Sequence, residues 1–171
     1  FALSYDLSAQ NYFFAEAREN EIMASPAGKR VIVPEEYRSL VLDVKGMQGF
    51  LQTLSSENRL AGRAPSAILE LPLPHGGKAA YRIWESPVME PALGARFPGI
   101  KTYTGQGIDD PTATIKVDFT ELGFHAMVLS DINDDIFIDP YRQLDSRNYL
   151  VYNKGDFKKM RPFSEIGVIE P

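Results

Sequence analysis

Thr112-Ala113-Thr114-Ile115-Lys116-Val117-Asp118-Phe119 alternates without a break: Ala113, Ile115, Val117 and Phe119 fall on one side, and Thr112, Thr114, Lys116 and Asp118 on the other. Successive side chains of a strand point to opposite faces, so this period of two describes one apolar and one wet face. Glu121-Leu122-Gly123 turns the chain, and Phe124, Ala126 and Val128 then alternate with His125, Met127 and Leu129. Asn133-Asp134 turns it again into an extended stretch over 136–139, and 149–152 offers a last strand. Short strands joined by closely spaced turns predict an antiparallel, half-solvated sheet, strongly curled or packed on a second sheet.

Upstream of that stretch, a strand over 67–71, the turn Pro72-Leu73-Pro74-His75-Gly76-Gly77 and a return strand over 79–84 read as a hairpin. Its lone Trp84 reads as a core residue. Ser86-Pro87 opens a helix whose regular part runs over 90–97, because Pro91 is tolerated only in a first turn. Residues 100–104 are extended, and Gly105-Gln106-Gly107 with Asp109-Asp110-Pro111 reads as a loop. Asp43 is a helix N-cap, and Met47, Phe50, Leu51 and Leu54 then form one apolar face. This helix over 43–55 is weakened by Gly46 and Gly49 at ~1 kcal/mol each relative to Ala. Arg30-Val31-Ile32-Val33 reads as a short strand stopped by Pro34, 37–42 as extended, and 55–65 as a polar connector. The predicted class is α+β and β-dominated, an antiparallel curled sheet or sandwich-like meander with two short helices. The expected divisions are an N-terminal arm or helix over 1–29, one globular domain over 30–155 and a C-terminal linker over 156–171.

At 171 residues and 44% hydrophobic composition, a domain of this size buries about 70% of its unfolded surface and needs no metal or disulfide to hold it. The net charge of −5, with no basic stripe, argues against nucleic acid, whose phosphates need clustered Lys and Arg. Lys154, Lys158, Lys159 and Arg161 read as a solvated segment. There is no cysteine, which excludes disulfides, thiolate zinc ligands and cysteine nucleophiles. No apolar run approaches ~18 residues, so no membrane span is expected. A chain beginning at Phe1 suggests processing or truncation, of which a removed signal peptide is one form.

No catalytic constellation emerges. The two histidines, His75 in a turn and His125 within a strand, lack the helical spacing of a zinc-peptidase motif and read as solvent-facing. Asp131, Asn133 and Asp135 begin like a calcium loop, but Ile136 stands where Gly belongs and Arg142 where Glu belongs. Gly105-Gln106-Gly107 lacks the third glycine and the helix of a dinucleotide fingerprint, and Ser86 sits in Glu-Ser-Pro rather than a nucleophile elbow. Neither catalytic residues nor metal ligands are assigned. Loops on rigid sheets often carry binding, and this singles out Gln106, Asp109 and Asp110, with Glu85 and Ser86 taken as their neighbours. The same residue types also make ordinary turns.

Glu70-Leu71-Pro72-Leu73-Pro74-His75-Gly76-Gly77, Arg82-Ile83-Trp84-Glu85-Ser86-Pro87-Val88-Met89 and Phe97-Pro98-Gly99-Ile100-Lys101-Thr102-Tyr103 carry a resemblance. It continues through Gly105-Gln106-Gly107-Ile108-Asp109-Asp110-Pro111-Thr112-Ala113-Thr114, Gly123-Phe124-His125-Ala126 and Ile138-Asp139-Pro140-Tyr141. Over roughly 30–152 the chain resembles the region upstream of the catalytic domain in reprolysin-like zinc metallopeptidases exported by Bacteroidetes-type bacteria. The resemblance implies a non-catalytic pro-region that assists folding of the protease, keeps it latent, or both. It implies a secreted, periplasmic or cell-surface location. The partner is then the catalytic domain of the same polypeptide, reached through the linker over 156–171. The zinc belongs to that domain, and no cofactor is expected in this chain. Adamalysin-type pro-regions often silence zinc with a cysteine thiolate; with no cysteine here, Asp109 or Asp110 as an oxygen ligand, or steric cover, would replace it. The alternatives are a stand-alone exported binding module of the cell envelope and an unrecognised enzyme.

Overall fold

A computed structural model of the chain describes residues 11–23, 28–55 and 65–157. The alternation is realised as one nine-stranded antiparallel sheet, strongly curled. Its strands are β1 (Phe14–Glu16), β2 (Arg38–Leu42), β3 (Ser66–Pro72), β4 (Lys78–Glu85), β5 (Lys101–Gly107), β6 (Thr114–Thr120), β7 (Gly123–Leu129), β8 (Ile136–Pro140) and β9 (Asn148–Asn153). Strands β3 to β9 follow one another as an up-and-down meander, and the β1–β2 pair is added beside β9. The two outer strands are drawn together: the Asn11 carbonyl accepts from the Glu70 N–H at 3.1 Å, and its amide donates to the Ile68 carbonyl at 2.8 Å.

The concave face holds the main core. Ala113, Ile115 and Val117 lie in it as their spacing requires, joined by Phe124, Ala126 and Val128 from β7. Phe14, Phe124 and Tyr149 meet edge to face at 5.8 to 6.3 Å, a geometry that suits ring quadrupoles. The Tyr149 hydroxyl accepts from the Phe124 N–H and donates to the Ser146 carbonyl, so its burial leaves no polar atom unmet.

Helix α2 (Val44–Thr53) closes one end of the curl. Asp43 caps it, its carboxylate accepting from the Gly46 N–H at 3.0 Å. Met47 and Leu51, four residues apart on one face, enter the core with Leu54 behind them. Gly46 has a packing reason: a Cβ there would lie 2.3 Å from the Asp43 carboxylate and 2.9 Å from the Phe13 ring. The Tyr103 hydroxyl donates to the Leu51 carbonyl at 3.2 Å, tying β5 to the helix.

On the convex face a second cluster covers β9, which is buried on both sides. There Leu150 and Tyr152 pack with Tyr141 and with Ile22 of helix α1 (Glu19–Met23), while Ile32 and Tyr37 border the cluster. Arg30 lies between the Tyr37 and Tyr141 rings at 4.7 and 4.5 Å, a cation–π sandwich.

Several expectations need correction. Residues 30–33 form no strand; they run across the convex face, with Ile32 against the β9 cluster. Part of the segment read as an arm or helix, Phe14–Glu16, is instead an edge strand. The helix expected over 90–97 is a single turn, α3 (Pro91–Gly94), with no buried residue. Gly105-Gln106-Gly107 belongs to β5 and is no loop. A Cβ at Gly105 would lie 2.3 Å from the Arg82 carbonyl, and one at Gly107 2.2 Å from the Asp110 carbonyl, so close backbone approach demands these glycines. Trp84 is not core. It shares the outward face of β4 with Arg82, while Tyr81 and Ile83 point inward. The connector over 55–65 and the linker over 156–171 lie largely outside the described residues.

Candidate functional site

Opposite α2, the curl stays open. The turn between β3 and β4, the loop between β5 and β6, the loop between β7 and β8 and the end of β9 surround a cavity of about 500 Å³. Its wall is apolar, with Leu73, Ala79, Tyr81, Ala113, Val128 and Ile136. Its rim is polar and acidic, carrying His75, Asp109, Asp110, Asn133, Asp134 and Asn153. Alternation accounts for the contrast: inward-facing strand residues line the interior, and the loops that leave the strands end it.

Asp110 organises that rim. One carboxylate oxygen accepts from the Thr112 N–H at 2.9 Å and its hydroxyl at 2.6 Å; the other accepts from the Ser130 hydroxyl at 2.6 Å and the Asn133 amide at 3.0 Å. One side chain thus joins the β5–β6 loop to the β7–β8 loop. Hydrogen bonds from Ser130 and Thr112 hold its carboxyl down to about 2, since each favours the charged form. Both oxygens are committed, so Asp110 acts here as a tie between loops. Its neighbour Asp109 is exposed and makes no hydrogen bond or ion pair among the described residues. Gln106 is spent locally, its amide donating to the Pro111 carbonyl at 2.7 Å.

His75 bridges the mouth from the β3–β4 turn to β9, its Nε2 accepting from the Asn153 amide at 3.0 Å in the tautomer this contact assigns. Arg38 of β2 fastens the same turn, donating to the Leu73 carbonyl and pairing with Glu16. Tyr81 stands in the wall with its ring buried. Burial, with the charges of Asp110 and Asp109 adding to it, pushes its hydroxyl up to about 12, so it stays a neutral donor at any physiological pH.

Glu85 and Ser86 do not join this site. The register pairs Tyr81 with Gly107 but Glu85 with Tyr103, which sets Glu85 about 13 Å along the strand toward the α2 end. There Glu85 pairs with Lys101 at 3.3 Å, and Lys101 also reaches Ser55 at 3.2 Å. Ser86 is bound to Thr102, its N–H to the Thr102 carbonyl and its carbonyl to the Thr102 hydroxyl. The expected common surface of Asp109, Asp110, Glu85 and Ser86 is therefore two surfaces at opposite ends of one strand pair.

The histidines are equally separated. His125 sits on the convex face near the turn into β7, half-buried rather than solvent-facing, with Nδ1 3.1 Å from Asp118. That hydrogen bond raises its pKa against the opposing effect of burial. It borders a groove of about 420 Å³ lined mainly by Val31, Ile32, Leu122, Pro140 and Leu144. Among the described residues no three His, Asp or Glu side chains converge as metal ligands. Asp131, Asn133 and Asp135 do not act together: Asn133 bonds to Asp110, and Asp135 pairs with Lys154 at 2.9 Å.

Sequence reading missed Tyr81, Asp134 and the His75–Asn153 bridge. Only Tyr81 had a local signal, its shared parity with Ile83. Searches against models of known families, curated proteins and solved structures find no match to the chain.

Proposed function

We propose that this is a non-catalytic, pro-region-like domain of an exported reprolysin-like zinc metallopeptidase, and that it binds the peptidase domain of the same polypeptide through the open end of the curl. The resemblance over 30–152 supports the family. The observation that carries the choice of surface is the open end itself: a cavity with an apolar wall and an acidic rim, whose loops Asp110 ties together. Rigid scaffolds presenting loops around a concavity suit recognition. Asp109, like Asp134, is a rim carboxylate with both oxygens uncommitted among the described residues, and it could approach a partner's cation, zinc included.

The test is a titration of the mature zinc peptidase domain with the purified 171-residue chain. Saturable inhibition is expected, weakened about tenfold or more by Asp109→Arg and unchanged by Glu85→Gln at the far end. Absence of both inhibition and complex formation, with the chain folded, would reject this function.

A further inference from the structure

We infer that the open-end cavity is a receptor for a single lysine or arginine side chain presented on a peptide segment. The inference rests on the proposed function only for the owner of that segment; the recognition chemistry is read from the cavity.

The wall formed by Leu73, Ala79, Val128 and Ile136 suits an aliphatic stem, and the rim suits a cation. Asp109 and Asp134 both stand at the rim without an ion pair among the described residues. Asp110 adds a third negative charge, although its oxygens are occupied. The cation among the lining residues, Lys78, is engaged: it pairs with Glu70 at 2.7 Å and lies 5.3 Å from the Tyr12 ring, and Arg38 beside the turn pairs with Glu16. The mouth therefore presents uncompensated negative charge over apolar depth, complementary to a side chain that is apolar along its stem and cationic at its tip. Tyr81, whose hydroxyl has no hydrogen-bond partner among the described residues, adds a ring wall and a polar group inside. At about 500 Å³ the cavity holds a long side chain together with its flanking backbone. An anionic or purely polar ligand would meet like charge at the rim or leave the wall unfilled.

The experiment is an amide chemical-shift titration of the labelled full chain with three capped single residues: N-acetyl-arginine methylamide and its norleucine and glutamate counterparts. Expected are saturable shifts at Gly76, Gly107 and Asp109 with the arginine probe, binding at least about tenfold weaker with norleucine, and none with glutamate. Asp109→Asn with Asp134→Asn should weaken the arginine probe about tenfold while leaving shifts elsewhere unchanged. Norleucine binding as tightly as arginine, or mouth amides that stay still at tens of millimolar probe, would overturn the inference. So would free arginine binding at least about tenfold more tightly than the capped form, since the site would then read the charged backbone of a small amino acid. If the chain inhibits the peptidase yet the probes leave the mouth unmoved, this inference fails and the proposed function stands. If the arginine probe binds and the peptidase is unaffected, the reverse holds.

Discussion

The two ends of the curled sheet are made from the same strands and are finished in opposite ways. At one end, Met47 and Leu51 of a capped helix, with Leu54 after it, fill the space, and Tyr103 and Lys101 reach across to bind Leu51 and Ser55. At the other end no element among the described residues enters. Loops surround an apolar hollow, and a network centred on one carboxylate does the work that packing does opposite. Dispersion and burial serve where nothing must enter, and directional hydrogen bonds where the interior must remain accessible.

That contrast can be broken most sharply at the filled end. Leu51→Ala should cost about 2–5 kcal/mol, the range for a buried leucine whose site cannot collapse, whereas Asp109→Asn at the mouth should stay within about 0.5 kcal/mol. Urea denaturation of both variants measures this, and equal losses would mean that the mouth is packed as the helix end is. A smaller effect with a sign test comes from the two helix glycines. Gly49→Ala has open space around it and should stabilise by roughly 0.5–1 kcal/mol through helix propensity. Gly46→Ala should instead destabilise by about 1–3 kcal/mol, because the new methyl meets the Asp43 cap and Phe13. Thermal melts that move in the same direction would remove the packing explanation.

The smallest effect belongs to the open end and depends on pH. Asp110 has its pKa lowered from 3.8 to about 2, so its contribution is fully present above the unfolded value and is lost as pH falls through the folded one. Between about pH 4 and pH 2, amide exchange in the 107–113 and 130–133 loops should accelerate before that of α2. Asp110→Asn should flatten this acid dependence. Exchange that rises in α2 first would show that the carboxylate network is not what holds the mouth.

Strands and the capped helix were legible because each writes its own period: 112–119 and 123–129 alternate, and Met47, Leu51 and Leu54 repeat behind Asp43. Trp84 was misjudged by side-chain type, although its parity with Arg82 placed it outside. Residues 30–33 carry strand-forming side chains but find no ladder, since β2 already occupies the position beside β9. Gly105 and Gly107 resemble turn residues because close backbone approach and turning both require the absence of a Cβ. At the mouth the turns at 72–77 and 133–134 and the loop at 109–111 were each legible by their turn-forming residues, but not that they meet. Its parts come from four places along the chain, and no local pattern records that His75 meets Asn153.

The contact at Asn11 has a consequence for how molecules of this protein meet one another. An unpaired strand edge is a template for adding a strand from another chain, which is how β-rich proteins self-associate. Here the edge of β3 is occupied at Ile68 and Glu70 by the segment leading into β1. A protease cut after residue 11 that let this segment drift off would leave two backbone groups of β3 unpaired, beside the already exposed Ile68. Asn11 therefore acts as a guard against polymerisation, and removal of the chain through it should appear as concentration-dependent light scattering before any loss of secondary structure.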